Sequence, residues 1–292
     1  MPVMRMKIAF IGDSFCAHHG PKEDGNKETP EDSVQSFEIG HELAIKHNLP
    51  MADRSVVVSL SKNDWPYLVK KHFNAVPTYC GFQGLSFYDS FKQYINKALD
   101  EDYIIFCVTE PYRFSNKHNL SLGGTMLDDI VGQTDVGNFC CEYSAWEKKL
   151  TKEETMEIYV TAKKYKETIT DPGTSIVMHN AMLNYVDNMM VEQNKKCLWF
   201  HSFDEHVLDW MKTFSPRSGP IGDRSLYSVG TKVKELTNWN LRNHFTKEEN
   251  IALSKLIIDV IENDRFEPGK ISMGDWFSGN NDIEYDGEFI YP

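Results

Sequence analysis

The chain has 292 residues, enough for one large α/β domain or two small ones, and its 43 acidic against 31 basic side chains leave a formal charge of −12. That excess speaks against wrapping a nucleic-acid backbone or binding an anionic membrane surface, since both demand positive charge. A hydrophobic share of 41% is that of a folded globular chain, and no window approaches the ~20 apolar residues that span a bilayer.

The opening stretch, MPVMRMKIAFIGDS, lacks the long apolar core and small-residue cleavage site of a signal peptide. The six cysteines (Cys16, Cys80, Cys107, Cys140, Cys141 and Cys197) are scattered, and three fall in strand-like runs. Free thiols in a reducing compartment fit that pattern better than a disulfide framework, so the cytoplasm is the expected location.

Short apolar runs alternate with longer amphipathic stretches, as in a parallel sheet covered by helices. Residues 8–11 give the first strand, and 56–60 a further short one. WPYLVKKHF, 65–73, reads as a helix entered through Pro66, which a first turn tolerates. AVPTYCGF follows as a second core strand. The helix predicted over 86–99 places Phe87, Phe91, Tyr94, Ile95 and Ala98 on one buried face.

YIIFCVTEP, 103–111, is the clearest strand, continuous enough to be covered on both faces. Glycines at 123, 124, 132 and 137 predict a loop-rich stretch from 112 to about 149. Two helices, near 151–169 and 174–193, are separated by the turn signal DPG. KCLWFHSF, 196–203, reads as another buried strand, DEHVLDWMKTF as a short helix, and 215–239 as irregular.

The last helix, over 246–263, opens with the capping-box pattern of Thr246 and Glu249. It carries an apolar stripe of Leu253, Leu256, Ile257, Val260 and Ile261. The order predicts a single doubly wound domain over 1–264, with insertions at about 16–53 and 112–149, and an irregular acidic tail over 265–292. Ligands of such sheets sit at the carboxyl ends of the strands.

Ser14 stands at such an end, in KIAFIGDSFC. A serine hydroxyl attacks only when a base takes its proton and donors await the developing oxyanion. His244 is the candidate base. It lies at the mouth of the last helix, whose positive end helps keep an imidazole neutral. Gly84, in YCGFQGLSF, is the candidate second oxyanion donor, because its N–H has no side chain beside it.

Taken in order, FIGDSF, the Trp-led helix WPYLVKKHF, GFQGLSFYD and the late NHFTKEENIALSKLI resemble the blocks of the SGNH (GDSL-type) hydrolases over residues 7 to about 262. The resemblance implies a flavodoxin-like α/β/α fold with a central parallel sheet. It further implies an esterase, lipase, thioesterase or carbohydrate deacetylase that needs no cofactor and acts on a small-molecule or carbohydrate ester. By the family's roles Ser14 is nucleophile and first oxyanion donor, Gly84 the second donor, and His244 the base. Asp13 accompanies Ser14 in the first block.

Two positions depart from the family pattern. Leu241 stands where the family has an aspartate three residues before the histidine, leaving Asn240, a backbone carbonyl or an acid such as Asp223 to orient the ring. Glu110 stands near the family's further donor asparagine, with Asn116 or Arg113 able to reach in from the next loop. The same departures suit a second expectation, a weak or inactive scaffold that binds carbohydrate or nucleotide or serves a structural role.

G-x-S-x-G, G-x-G-x-x-G and phosphate-loop patterns are all absent from the sequence. His118 with the adjacent Cys140 and Cys141 is an awkward set for a tetrahedral metal. The two insertions are expected to rise from the carboxyl edge, either as a lid or substrate wall or as oligomer contacts.

Overall fold

The computed structural model describes residues 5–13, 15–16, 39–49, 64–81, 85–98, 100–118, 120–123, 126–202, 218–220, 225–226, 245 and 247–263. Five parallel strands, β1 (Lys7–Gly12), β2 (Val76–Gly81), β3 (Tyr103–Val108), β4 (Lys196–His201) and β5 (Ser218–Pro220), form one sheet in the order β2-β1-β3-β4-β5. The helices are α1 (residues 39–46), α2 (Trp65–Phe73), α3 (Phe87–Gln93), α4 (Met126–Val131), α5 (Asp135–Lys148), α6 (Lys152–Thr168), α7 (Pro172–Gln193) and α8 (Lys247–Glu262). Among the described residues no helix is long and apolar enough to cross a membrane.

Alternation along the strands builds two cores. On one face Phe10, Ile105 and Phe200 pack with Trp65 of α2 and Leu253, Leu256 and Ile257 of α8. On the other Ile11, Phe106 and Trp199 pack with Phe87 of α3 and Leu183, Val186 and Met190 of α7. The chain steps from β1 to β2, then back across β1 to β3, and the connecting helix changes face with the direction. Right-handed crossovers require that change. The strand order therefore reverses between β1 and β3, which end at Gly12 and Val108, and doubly wound sheets commonly take ligands at such a reversal.

The expected strands at 8–11, 103–111 and 196–203 form over 7–12, 103–108 and 196–201, and the helices at 65–73, 151–169 and 174–193 over 65–73, 152–168 and 172–193. The predicted stripe of the last helix is buried throughout, from Leu253 to Ile261. The DPG signal marks a helix start as much as a turn, since Asp171 caps α7 by accepting the Thr174 N–H and Pro172 opens the first turn. The expected elements at 56–60 and 204–214, the cap at Thr246 and the tail at 265–292 lie outside the described residues.

Four expectations need correction, one of them the irregular stretch 215–239, which contributes β5 to the sheet beside β4. β2 is the edge of the sheet, not a central strand, and its first four residues are partly or fully exposed, a place that suits Pro77. A π turn over Tyr94–Ala98 follows α3 and shifts the helical phase, so Tyr94 stays buried while Ile95 is 38% exposed. The stretch 112–149 is largely helical over its second half, through α4 and α5, and Gly137 serves helix packing rather than a loop. Gly137, in the first turn of α5, lies so close to α4 that a Cβ would fall 2.0 Å from the Asp129 carbonyl oxygen.

α4, α5, α6 and the 114–122 loop thus enclose a third core, with Leu122, Leu127, Ile130, Cys141 and Tyr159 at its centre. Gly137→Ala should destabilise the protein by about 3 kcal/mol, the upper end for overpacking, because the obstacle is backbone. Urea unfolding of the two proteins checks this.

Candidate functional site

β1 ends in a strained turn. Gly12 has φ +143°, and a side chain there would meet the Cys107 carbonyl oxygen of β3 at 2.4 Å. Only glycine lets β1 and β3 pair to their ends and then release the chain into Asp13. The residue after it, Ser14, lies outside the described residues, as do Gly84, Asn240 and His244, and Asp223 among the alternatives. Among the described residues, Phe15 follows Ser14 and Phe245 follows His244, and these two meet.

Phe15, next to Ser14, and Phe245, next to His244, pack ring against ring with centroids 5.4 Å apart. Trp65, at the start of α2, donates its indole N–H to the Phe15 carbonyl at 2.7 Å. Its backbone N–H donates to Asn250 Oδ1 at 3.1 Å, and Asn250 Nδ2 donates to the Phe245 carbonyl at 3.3 Å. Positions 15, 65, 245 and 250 therefore form one buried knot at the carboxyl edge.

The next row past the strand ends is polar. Asp13 follows β1, Thr109 follows β3 and Ser202 follows β4, all three buried. Asp13 Oδ1 accepts the Phe15 N–H at 3.0 Å, and the Asp13 carbonyl accepts the Cys16 N–H at 3.0 Å. The Thr109 and Ser202 hydroxyls come close enough to favour the charged carboxylate, as does the Arg113 guanidinium, yet no bond of ordinary length closes on Oδ2. Burial outweighs these groups and raises the Asp13 pKa.

Beneath Thr109, His179 of α7 donates its Nε2–H to the Thr109 carbonyl at 3.1 Å and lies tilted against Phe87 with centroids 4.1 Å apart. His201, buried at the end of β4, is pushed down to about 3 by burial and then by His179, so it stays neutral at ordinary pH.

Glu110 is turned toward Arg113, whose guanidinium donates to Glu110 Oε1 at 3.4 Å, with the two side chains 16% and 9% exposed. It presents an ion-paired carboxylate at the edge rather than a bare one. Asn116 turns inward on its own loop. Its Nδ2 donates to the Leu120 carbonyl at 2.7 Å, and its Oδ1 accepts the N–H groups of His118 and Leu120. Of the two reserve donors, Arg113 is the one that acts on Asp13.

Thr109 and Ser202 were passed over in the sequence, although each follows directly on a continuous apolar strand, which is the signal for an edge position. Among the described residues no group of histidine, cysteine and carboxylate side chains is placed to hold a metal. Compared with known proteins, the chain matches no family model, no curated protein and no solved structure significantly.

The raised Asp13 pKa gives a signed prediction. The folded state holds this proton more tightly than the unfolded state, whose carboxyl titrates near 3.8. The associated stability is present below that pH and is lost as pH rises through the higher folded value. Asp13→Asn escapes the loss, so its stability relative to wild type should rise from acid to neutral pH in paired urea titrations. A difference independent of pH would mean that Asp13 titrates normally.

Proposed function

We propose that the protein is a serine hydrolase of the SGNH type with a flavodoxin-like fold, cleaving an ester or thioester through an acyl-serine intermediate. The observation that carries this reading is the packing of Phe15 on Phe245, tied by Trp65 and Asn250. It joins the neighbours of Ser14 and His244, more than 200 positions apart, at one carboxyl edge. The strand order supports it too, since the reversal at β1 and β3 is where doubly wound sheets hold ligands. Six free cysteines, five of them buried, suit a reducing, cytoplasmic setting.

In this mechanism Ser14 Oγ attacks the acyl carbon while His244 takes its proton. The tetrahedral oxyanion rests on the Ser14 and Gly84 N–H groups. His244 then protonates the leaving alcohol or thiol, and water enters by the reverse path to free the acid. Asp13 holds the turn that presents Ser14, and Arg113 adds positive charge beside it.

Turnover of p-nitrophenyl esters by wild type, Ser14→Ala and His244→Ala tests the assignment, with losses of roughly 10⁴-fold expected for either variant. Wild-type rates in Ser14→Ala would remove the nucleophile. A fluorophosphonate probe should label wild type at Ser14. No labelling and no turnover would favour the second reading, a binding scaffold for sugar or nucleotide, to which Glu110 in the donor position is the pointer.

A further inference from the structure

A cavity of about 1070 Å³ opens between the helical insertion and the start of α3 and α7. Its polar walls are largely occupied within the protein. Asn116 closes its own loop, Asp171 caps α7, Glu154 completes the capping box of α6, and Lys92 reaches Asp89 and Ser115. Lys117, His118 and Glu157 add polar groups to the wall, and its apolar share is Phe114, Leu122, Ile158, Tyr165, Ile169 and Met178.

Three of these, Tyr165, Ile169 and Met178, are 47%, 67% and 45% exposed, so they face the cavity and solvent rather than a core. They come from α6, the turn after it, and α7. Apolar groups from separate elements that converge on one opening are the usual lining of a ligand site. Arg113 joins this cavity to the catalytic edge, because it lines the one and acts on Asp13, the neighbour of Ser14, at the other. The volume is far more than an acetyl group fills.

We propose that this cavity receives the acyl chain of the substrate, and that the chain is aliphatic and of medium length, on the order of eight carbons or more. The proposal rests on the reading of Ser14 as nucleophile. Burial of each added methylene should raise kcat/KM about three- to fourfold until the chain fills the cavity.

The test is a p-nitrophenyl ester series from acetate to decanoate, run on wild type, Thr161→Trp and Ile169→Asp. Positions 161 and 169 line the cavity and are exposed, so the variants are expected to fold, which circular dichroism checks. Decanoate binding to each protein, measured by calorimetry, supplies a readout that needs no turnover.

A rising series in wild type, with the decanoate-to-acetate ratio of kcat/KM cut at least tenfold in both variants, supports the proposal. Turnover with a flat or falling series, or one that both variants leave unchanged, overturns it while sparing Ser14. Decanoate bound by wild type and at least tenfold more weakly by Thr161→Trp, with no ester turned over, upholds the chain site and removes the hydrolase reading. Absence of decanoate binding at millimolar concentration overturns the chain site.

Discussion

The hydrogen bond from the Trp65 indole to the Phe15 carbonyl organises the carboxyl edge of this protein. A buried indole N–H must find an acceptor, and here the acceptor belongs to the turn that leaves β1. The ring itself is fixed from below, edge-on to Phe10 at 5.7 Å and tilted against Phe200 at 6.2 Å. Because Phe10 and Phe200 belong to the sheet, the indole transmits the position of the sheet to a backbone oxygen just beyond it. Asn250 extends the connection to α8 and Phe245. Three segments distant in sequence thus meet through donors and acceptors that no water can replace.

A second constraint is electrostatic. Asp13, Arg113 and Glu110 line up from the end of β1 to the loop after β3, and every member is at least largely buried. Isolated, any one of them would be costly at such burial. Arg113 is the shared element, favouring the Asp13 carboxylate on one side and donating to Glu110 on the other. Gly123 leaves room for the pair, since a Cβ there would lie 3.0 Å from Arg113 and 3.1 Å from Glu110 Oε1. The glycine that reads in sequence as loop punctuation is thus where the charged loop closes on itself.

How much of this was legible follows from the range over which each feature is decided. Continuous apolar strands and amphipathic helices announce themselves locally, which is why β1, β3, β4, α2 and α8 lie where periodicity placed them. Features decided by a neighbour in space were hidden. Gly137 reads as a helix breaker until Asp129 is seen against it, and the π turn after α3 leaves no mark on the period of FYDSFKQYINKA. β5 has only three residues, Ser218–Pro220, too few and too polar for an apolar run. At the edge, FIGDSF draws attention to Asp13 and its neighbours because its residue types are specific. Thr109 and Ser202 are ordinary residues whose role comes from three strands ending in register.

The two insertions depend on each other, and one carboxylate shows why. Glu142 of α5 is 11% exposed and takes Lys46 Nζ at 2.6 Å, Lys152 Nζ at 2.7 Å and His47 Nε2 at 3.4 Å. Burial alone would raise its pKa, but these partners outweigh burial and hold the carboxyl at about 2. An exposed ion pair contributes little, because water and side-chain entropy offset it. Three cationic or donor groups on one sheltered carboxylate, drawn from α1, the turn after it and the start of α6, form a junction instead. The described part of the 16–53 insertion is thereby fastened to the helical insertion that walls the cavity. This junction lies apart from the two cores of the sheet, none of whose members belongs to it.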